Sequence, residues 1–338
     1  MKRGYKVVVN TAAGRRRYMK YLIPQVVASE IVDRYDLWLN TTNKEDLYFF
    51  TEISKRIPKI NLVWQPERII NGVKSINAFY KDCCESNTIY IKLDDDMIWL
   101  EPNFFEKMID YRIDHPEFFL VSPLVINNGI CNYILQNRGK IRFHDYFVAE
   151  PYNRFWYNGY FAKQFHIWFL ENYLLKDSFE KLYCGEAMIS LNRFAINAVL
   201  WFGDDFRTFQ GIIDGDDEEF LTVKYPLKIN KSCGFNLNAL CCHFSFSAQR
   251  ALLDKTNILD IYGQYLKDKA NKKCLSIYNS MDYIIEYIQN NPNIVNDFNC
   301  GYKQVKSKQM KGFLYKFHML FREFRGIFIQ QKKYISNK

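Results

Sequence analysis

Residues 88 to 103 read TIYIKLDDDMIWLEPN, and this stretch decides the fold prediction. From Ile89 to Leu93 the residues favour extended structure and predict a short buried strand. The strand runs into three consecutive carboxylates, Asp94, Asp95 and Asp96, which repel one another at the edge of a core unless a cation is bound. Ligands of open α/β sheets bind at the carboxyl ends of strands. The stretch therefore predicts a divalent cation with oxygen ligands, Mg2+ or Mn2+.

A solvated turn before a helix that starts near Asn103 is the alternative interpretation of the acidic triplet. The apolar residues Met97 to Leu100 disfavour it, because surface turns seldom lie between two apolar runs. The stretch resembles the Asp-x-Asp motif of glycosyltransferases with the GT-A fold, in which an apolar strand delivers the carboxylates to a nucleotide-sugar diphosphate. The resemblance implies that Asp96 binds the cation directly. It also implies that Asp94 contacts the metal or the ribose, and that Asp95 belongs to the nucleotide site.

The first hundred residues alternate between strand and helix patterns. Strands are predicted at 6–10, 36–39 and 60–64, and helices at about 18–32, 44–56 and 71–82. This alternation is typical of a parallel sheet with helices on its faces. With the resemblance, it predicts an α/β fold of the GT-A (Rossmann-like) type: a mixed, mostly parallel sheet flanked by helices, with a helical C-terminal extension. The expected parts are a nucleotide-sugar-binding half at 1–100, an acceptor-binding half at 101–250, and the extension with a basic tail at 251–338.

The loop after the first strand reads TAAGRRR from Thr11 to Arg17. Small residues followed by arginines suit a loop that a phosphate or nucleotide approaches, and a solvated basic turn is the alternative. The nucleotide contacts predicted here are Thr11, Ala12, Gly14 and Arg15. In the helix predicted at 71–82, Lys74 is a further candidate for the nucleotide, with an exposed helical lysine as the alternative.

A second acidic cluster reads DGDDEEFL from Asp214 to Leu221. Consecutive acids are common at a helix N-terminus, where the helix dipole favours them. The cluster also resembles the Gly-x-Asp-Glu-Glu segment of inverting GT-A enzymes, whose central carboxylate deprotonates the acceptor hydroxyl. The resemblance implies that Asp216 binds the acceptor and Asp217 is the base. A shift of one residue in register makes Glu218 the base.

Two further segments resemble parts of GT-A sites. Residues 184–193 are predicted to be a strand entering a helix, and they are similar to the segment beside the donor sugar. Gly185 would permit close approach of a ligand to the backbone, and Glu186 would accept hydrogen bonds from sugar hydroxyls. In the strand-like stretch from Leu240 to Arg250, the resemblance implies that His243 is a metal ligand opposite the acidic triplet, although a lone histidine is also typical of a core.

Residues 127 to 180 are irregular and rich in aromatic side chains. Sugar rings stack on such side chains, so the segment is a candidate acceptor surface, with a locally packed subdomain as the alternative. Among its aromatic residues are Tyr152, Phe155, Trp156, Tyr157, Tyr160, Phe161, Phe165 and Trp168.

The net charge of +9 lies in the C-terminal tail. Residues 303–338 contain ten Lys or Arg and one acid, Glu323, whereas residues 1–302 contain 36 of each sign. From Lys311 to Phe328 the aromatic residues fall on one side of a helical projection and the basic residues on the other. This pattern predicts contact with an anionic membrane surface, and docking on the catalytic domain is the alternative.

Composition narrows the function classes. Among the 338 residues no apolar run approaches the ~20 residues of a membrane-spanning helix, and the nine cysteines show no metal or disulfide spacing, so we expect a reducing cytoplasm. We expect a metal-dependent, inverting glycosyltransferase, peripheral on the cytoplasmic face of a membrane. Its expected partners are a UDP-sugar donor and a hydroxyl of a glycan or lipid-linked glycan.

Two rival functions remain. A sugar-phosphate nucleotidyltransferase has a similar sheet, but its phosphate loop is glycine-rich, and residues 10–17 contain only Gly14. A nucleic-acid-binding protein would use the basic tail, but it should also have a basic body. The body here is neutral, so no nucleic-acid partner is expected.

Overall fold

The computed structural model describes residues 1–70, 75–144, 147–149, 155–298, 301, 303–304 and 335. Its strands are β1 (Lys6–Ala13), β2 (Arg34–Leu39), β3 (Ile60–Val63), β4 (Ile69–Ile70), β5 (Thr88–Leu93), β6 (Met97–Leu100), β7 (Leu120–Ile126), β8 (Glu186–Ile189), β9 (Ala198–Phe202), β10 (Cys233–His243) and β11 (Lys303–Gln304). Its α-helices are α1 (Arg16–Ala28), α2 (Lys44–Arg56), α3 (Phe104–Asp114), α4 (Gly129–Asn137), α5 (Gly159–Phe169), α6 (Gly203–Arg207), α7 (Asp217–Glu219), α8 (Tyr225–Ile229), α9 (Ser247–Leu253), α10 (Ile258–Lys269), α11 (Lys272–Asn290) and α12 (Pro292–Asp297).

A nine-stranded mixed sheet forms the centre of the molecule. Its order is β3-β2-β1-β5-β9-β7-β10-β6, and β8 pairs with the beginning of β10. Strands β1, β2, β3, β5, β7 and β10 point one way, and β6, β8 and β9 point the other way. Every residue of β5 and β7 is buried, as expected for central strands covered by helices on both faces. The predicted α/β fold with a mostly parallel sheet and a helical C-terminal region is confirmed.

The acidic triplet lies in a turn between strands that do not pair with each other. Strand β5 pairs with β1 and β9, whereas β6 pairs with β10. The first residue of β6, Met97, is opposite His243, and the register shifts between Cys242 and His243. The chain therefore crosses from the middle of the sheet to its edge directly after Asp96, and this crossing brings the triplet next to the end of β10.

Two predicted elements differ from the structure. The strand at 184–193 is present as β8, but no helix follows it, because Leu191 has a left-handed backbone with a φ of 52° that turns the chain. Of the helix predicted at 71–82, the described residues 75–76 are α-helical, and a 3-10 helix follows at Asn77–Asp82.

The C-terminal helices pack against the first half of the chain. Gly263 of α10 contacts the ring of Tyr21, where a β-carbon would lie 2.5 Å from ring atom Cε1. The hydroxyl of Tyr278 in α11 donates to the carbonyl oxygen of Tyr21 at 3.4 Å. Among the described residues, no helix is long and apolar enough to span a bilayer. The amphipathic helix predicted from Lys311 to Phe328 lies outside the described residues.

Gly203 marks a position where the backbone of two segments is in close contact. A β-carbon there would lie 2.1 Å from the carbonyl oxygen of Glu85 and 3.0 Å from the Tyr90 ring. We expect Gly203→Ala to lower the free energy of unfolding by about 1–3 kcal/mol, the usual cost of overpacking, measured by chemical denaturation. Gly203→Val, which adds more atoms at the same contact, should lower it further. Wild-type stability of both variants would show that the contact with Glu85 is not tight.

Candidate active site

The predicted site residues converge on one cavity at the carboxyl ends of β1, β5 and β10. The cavity has a volume of about 520 Å³. It brings together ten of the residues predicted from the sequence: Ala12, Gly14, Arg15, Asp94, Asp95, Asp96, Asp216, Asp217, Glu218 and His243. The two acidic clusters, which are far apart in the chain, therefore line the same space.

Asp94, Asp96 and His243 form a group that fits a metal ion. One ligand atom from each lies within 4.8 Å of the other two. The Nδ1 atom of His243 lies 3.3 Å from the carbonyl oxygen of Asn127. Because a carbonyl only accepts, Nδ1 donates to it, and this leaves Nε2, 3.3 Å from Asp96 Oδ1, to donate to that carboxylate or to bind a cation in place of its proton. A histidine oriented by a backbone carbonyl is the usual arrangement of a metal ligand.

Asp96 is kept ionised by its surroundings. Burial acts to raise its pKa, but His243, Arg15 and Arg250 outweigh burial and hold the pKa well below its ordinary value. Arg15 Nη2 lies 3.1 Å and Arg250 Nη2 lies 3.5 Å from Asp96 Oδ2. The Nε atom of Arg250 is buried and has no hydrogen-bond partner among the described residues. These two guanidinium groups also line the cavity, where they are able to contact an anionic ligand.

Asp94 is held by two partners that the sequence analysis missed. The ammonium group of Lys92 lies 2.7 Å from Oδ1, and the Asn197 side chain donates to Oδ2 at 2.9 Å. Lys92 is buried and also donates to the carbonyl oxygen of Ile196 at 2.8 Å. A signal for Lys92 was present, because residues two apart in a strand share a face. No comparable pattern marks Asn197.

Asp95 joins the loop after β1 to the acidic turn. Its carboxylate accepts from the backbone N–H of Gly14 and from Arg15 Nε, both at 3.0 Å. A β-carbon on Gly14 would lie 3.2 Å from the carbonyl oxygen of Asn40 and 3.3 Å from Asp95 Oδ2, which explains the glycine. The protein's own donors therefore occupy Asp95, and its position in the cavity wall is that of a loop anchor.

Asp216, Asp217 and Glu218 of the second acidic cluster each have different surroundings. Asp216 is the N-cap of α7, because its side chain accepts from the backbone N–H of Glu219 at 2.9 Å. Asp217 accepts from the hydroxyl of Tyr80 at 2.9 Å and from the backbone N–H of Glu218 at 3.1 Å. The second acidic cluster therefore begins a helix, as the sequence suggests, and it also lines the cavity.

Glu218 has the most perturbed proton equilibrium of this cluster. Burial and the charges of Asp217 and Asp216 raise its pKa to about 7, although Lys92 and Arg193 act in the opposite direction. The Nη2 atom of Arg193 lies 3.4 Å from Glu218 Oε2. At neutral pH this carboxyl group is near the midpoint of its titration, as suits a group that exchanges protons during a reaction.

Four of the predicted residues are not placed in the site. Thr11 is buried, and its hydroxyl is 2.9 Å from that of Tyr35 in the core. Glu186 pairs with Asn236 near the start of β10, on the order of 20 Å from His243 at strand spacing, and its carboxylate accepts from Tyr111. Gly185 donates its backbone N–H to the side chain of Asn238, and the positive φ of 85° explains why it is a glycine. Lys74 lies outside the described residues.

The described part of the aromatic segment is mostly a locally packed subdomain, and the acceptor surface stays a prediction. Phe147 and Phe155 are buried and stacked, with ring centroids 4.4 Å apart, and Phe161 packs against them. Trp156, directly after Phe155, instead lines the cavity. Most of these rings therefore form a packed subdomain, and one of them faces the site.

The chain matches no protein-family model and no curated protein. Among solved structures it is similar to a CMP:2-keto-3-deoxy-manno-octonic acid synthetase complexed with CTP, with 8% identity and a TM-score of 0.40 over 77% of this chain and 98% of that one. It is also similar to 4-diphosphocytidyl-2C-methyl-D-erythritol synthase from Anaerococcus prevotii, with 15% identity and a TM-score of 0.27 over 36% of this chain and 56% of that one. Neither protein is a glycosyltransferase by name. Because both TM-scores lie below 0.5, the function is argued from the geometry of the site.

Proposed function

We propose that the protein is a metal-dependent glycosyltransferase that moves a sugar from a nucleotide-sugar to a hydroxyl group of a glycan or lipid-linked glycan. One observation carries the proposal. A group that fits a divalent cation, formed by Asp94, Asp96 and His243, shares a cavity with a carboxyl group whose pKa is raised to about 7, Glu218.

The residues of the first cluster suit a nucleotide diphosphate. Two carboxylates and an imidazole fit Mn2+ well, and Mg2+ is the other candidate. A cation held there supplies Lewis-acid stabilisation of a departing diphosphate. Arg15 and Arg250, which flank Asp96, would add hydrogen bonds and positive charge to the same phosphates. UDP is the proposed nucleotide, with the backbone at Ala12 and Gly14 beside it.

In the second cluster we assign the role of base to Glu218. Asp217 accepts one hydrogen bond on each oxygen, from the hydroxyl of Tyr80 and from a backbone N–H, and Asp216 caps a helix. Glu218 combines a place in the cavity wall with a pKa near the working pH, which is the requirement for a general base. The register is therefore one residue later than the sequence resemblance first implied. A base facing the acceptor favours inversion at the anomeric carbon.

A second candidate is a sugar-phosphate nucleotidyltransferase. The names of the two similar structures, both synthases of cytidine nucleotide derivatives, favour it. A sugar phosphate attacks with an oxygen that is already ionised and needs no base, whereas a sugar hydroxyl that attacks a nucleoside triphosphate needs one, as in a glycosyltransferase. The physical difference between the two candidates is therefore the bond that breaks: the bond from the anomeric carbon to a diphosphate, or the bond from the α-phosphorus to pyrophosphate.

The leaving group distinguishes the candidates. The full-length protein is incubated with a panel of nucleotide-sugars, and separately with nucleoside triphosphates plus sugar phosphates, each with Mn2+ or Mg2+. We expect metal-dependent release of a nucleoside diphosphate from one nucleotide-sugar, detected by ³¹P NMR, and its loss with EDTA. Pyrophosphate release from a triphosphate would establish the nucleotidyltransferase instead. Cytoplasmic location and binding of residues 303–338 to anionic membranes remain predictions, since the tail lies almost wholly outside the described residues.

A further inference from the structure

Two aromatic side chains form one wall of the cavity. Trp156 and Phe246 both line it, with ring centroids 5.5 Å apart. Phe246 in turn packs on the ring of His243, with a centroid distance of 4.5 Å. This aromatic wall, Trp156 and Phe246, therefore begins directly beside the proposed metal ligands.

Glu218 lines the same cavity as the aromatic wall. Its partner Arg193, at 3.4 Å, follows Asn192, whose side chain donates to the carbonyl oxygen of Ala149 in the aromatic segment at 3.3 Å. The wall and the proposed base therefore belong to one cavity.

The nucleotide side of the cavity is a different region. There the backbone N–H of Gly14 donates a hydrogen bond to the Asp95 carboxylate, and the carbonyl oxygen of Asn40 lies close to Gly14. His243 and Phe246 lie on the Asp96 side of the acidic turn. The loop after β1, the aromatic wall and Glu218 all line the same cavity, so the proposal places the nucleotide at the loop and the acceptor at the wall.

The charges of the cavity select against an anionic ligand at this wall. Six carboxylates line the cavity: Asp94, Asp95, Asp96, Asp216, Asp217 and Glu218. The described cations that line it, Arg15, Lys92 and Arg250, lie beside the carboxylates of the triplet, where the diphosphate is proposed to bind. Arg193 is paired with Asp216 and Glu218. A further carboxylate or phosphate beside Glu218 would be repelled.

We propose that Trp156 and Phe246 form the acceptor subsite and that this subsite takes an uncharged pyranose. This inference rests on the proposed glycosyltransferase function and specifies the class of its acceptor. The apolar C–H face of the sugar packs on the tryptophan ring, and its hydroxyls donate to the carboxylates opposite. The acceptor oxygen forms the new bond to the anomeric carbon, the bond from that carbon to the diphosphate breaks, and the acceptor proton passes to Glu218.

The test uses the full-length protein with simple glycosides as acceptors. Neutral acceptors are methyl glucoside, methyl galactoside and methyl mannoside, and acidic ones are methyl glucuronide and methyl galacturonide. We expect wild type to prefer the best neutral glycoside by at least about tenfold in kcat/KM, because a uronate adds a like charge beside the carboxylates. We expect Trp156→Ala to raise the acceptor KM about 3- to 10-fold, the usual worth of one ring contact, and Trp156→Phe to recover most of it.

A matched control and a separate binding measurement identify the subsite. Trp168 is also half-buried but stacks on Phe165 outside the cavity, so Trp168→Ala should leave the acceptor KM unchanged. The calorimetric affinity of Trp156→Ala for UDP with Mn2+ should stay close to that of wild type. A loss of UDP affinity equal to the rise in acceptor KM would place Trp156 in the nucleotide site and overturn the proposal, as would equal use of uronates.

Failure of the proposed function would give a different result. If wild type shows no metal-dependent turnover of any nucleotide-sugar, the glycosyltransferase assignment fails. The subsite is then tested by titrating the protein with the same glycosides and measuring its tryptophan fluorescence. Quenching by neutral glycosides in wild type that is lost in Trp156→Phe would support a pyranose subsite, and absence of quenching would overturn it.

Discussion

Asp96→Asn should weaken the metal-dependent affinity for the nucleotide by more than about 100-fold, since even the outer partners of metal ligands are worth about 10- to 100-fold. The change removes the charge of the one carboxylate that His243, Arg15 and Arg250 all approach. Isothermal titration of UDP with and without Mn2+ measures the effect. Turnover of the nucleotide-sugar should fall with it.

Asp214→Asn is the matched control for this variant. Asp214 belongs to the second acidic run but is exposed and does not line the cavity. Its affinity for UDP and Mn2+ should equal that of wild type. Unchanged Mn2+-dependent affinity in a folded Asp96→Asn variant would remove the triplet from the proposed metal site.

Glu218→Gln should reduce kcat by about 10²- to 10⁴-fold, the usual contribution of a general base, while UDP binding survives. The pKa of Glu218 is raised to about 7, so only the ionised form above that pH accepts a proton. The wild-type rate should therefore rise with pH through about 7. This limb should be absent from the residual activity of the variant.

Glu218→Gln should also change the thermal stability of the protein, by an amount that depends on pH. A carboxyl group with a raised pKa binds its proton more tightly in the folded than in the unfolded protein, so it costs stability as pH rises from its ordinary pKa towards 7. Glu218→Gln removes that cost. We expect Tm to rise relative to wild type at pH 8 but not at pH 4.5.

Glu186→Gln is the control for Glu218→Gln. Glu186 is also a carboxylate predicted from the sequence, but it is exposed on β8 and pairs with the far end of β10. Its kcat and pH profile should match those of wild type. A Glu218→Gln variant with wild-type turnover would exclude Glu218 as the base, and Asp217 would be tested next.

Much of the fold follows from local patterns. Helix α2 was predicted at the residues the structure shows, because Asn43 caps it and acids occupy its first turn. Strand β5, before the acidic triplet, was also predicted from local sequence, because its residues are apolar and favour extended structure. The pairing of β10 between β7 and β6 was not predictable in this way, because no local pattern records which distant strands become neighbours.

The candidate site also has residues that local sequence predicts and residues whose position depends on the pairing of distant strands. Asp94 and Asp96 were predicted from the strand before them and His243 from the family resemblance, and the structure brings the three together. Gly185 and Glu186 lie outside the cavity, because local resemblance does not show that β8 pairs with the start of β10. The choice between Asp217 and Glu218 depends on a hydrogen bond from Tyr80, which is distant in sequence, and on burial of the neighbouring carboxyl.

The pairing of β6 with β10 has a consequence for synthesis of the protein. Strand β6 leaves the ribosome early, but within the described residues its sheet partner is β10, which is translated much later. Until residue 243 has emerged, the acidic turn has neither an adjacent edge strand nor its histidine. The proposed metal site is therefore completed only after more than two thirds of the chain has been translated. A chain released before that residue would carry the acidic triplet without its histidine.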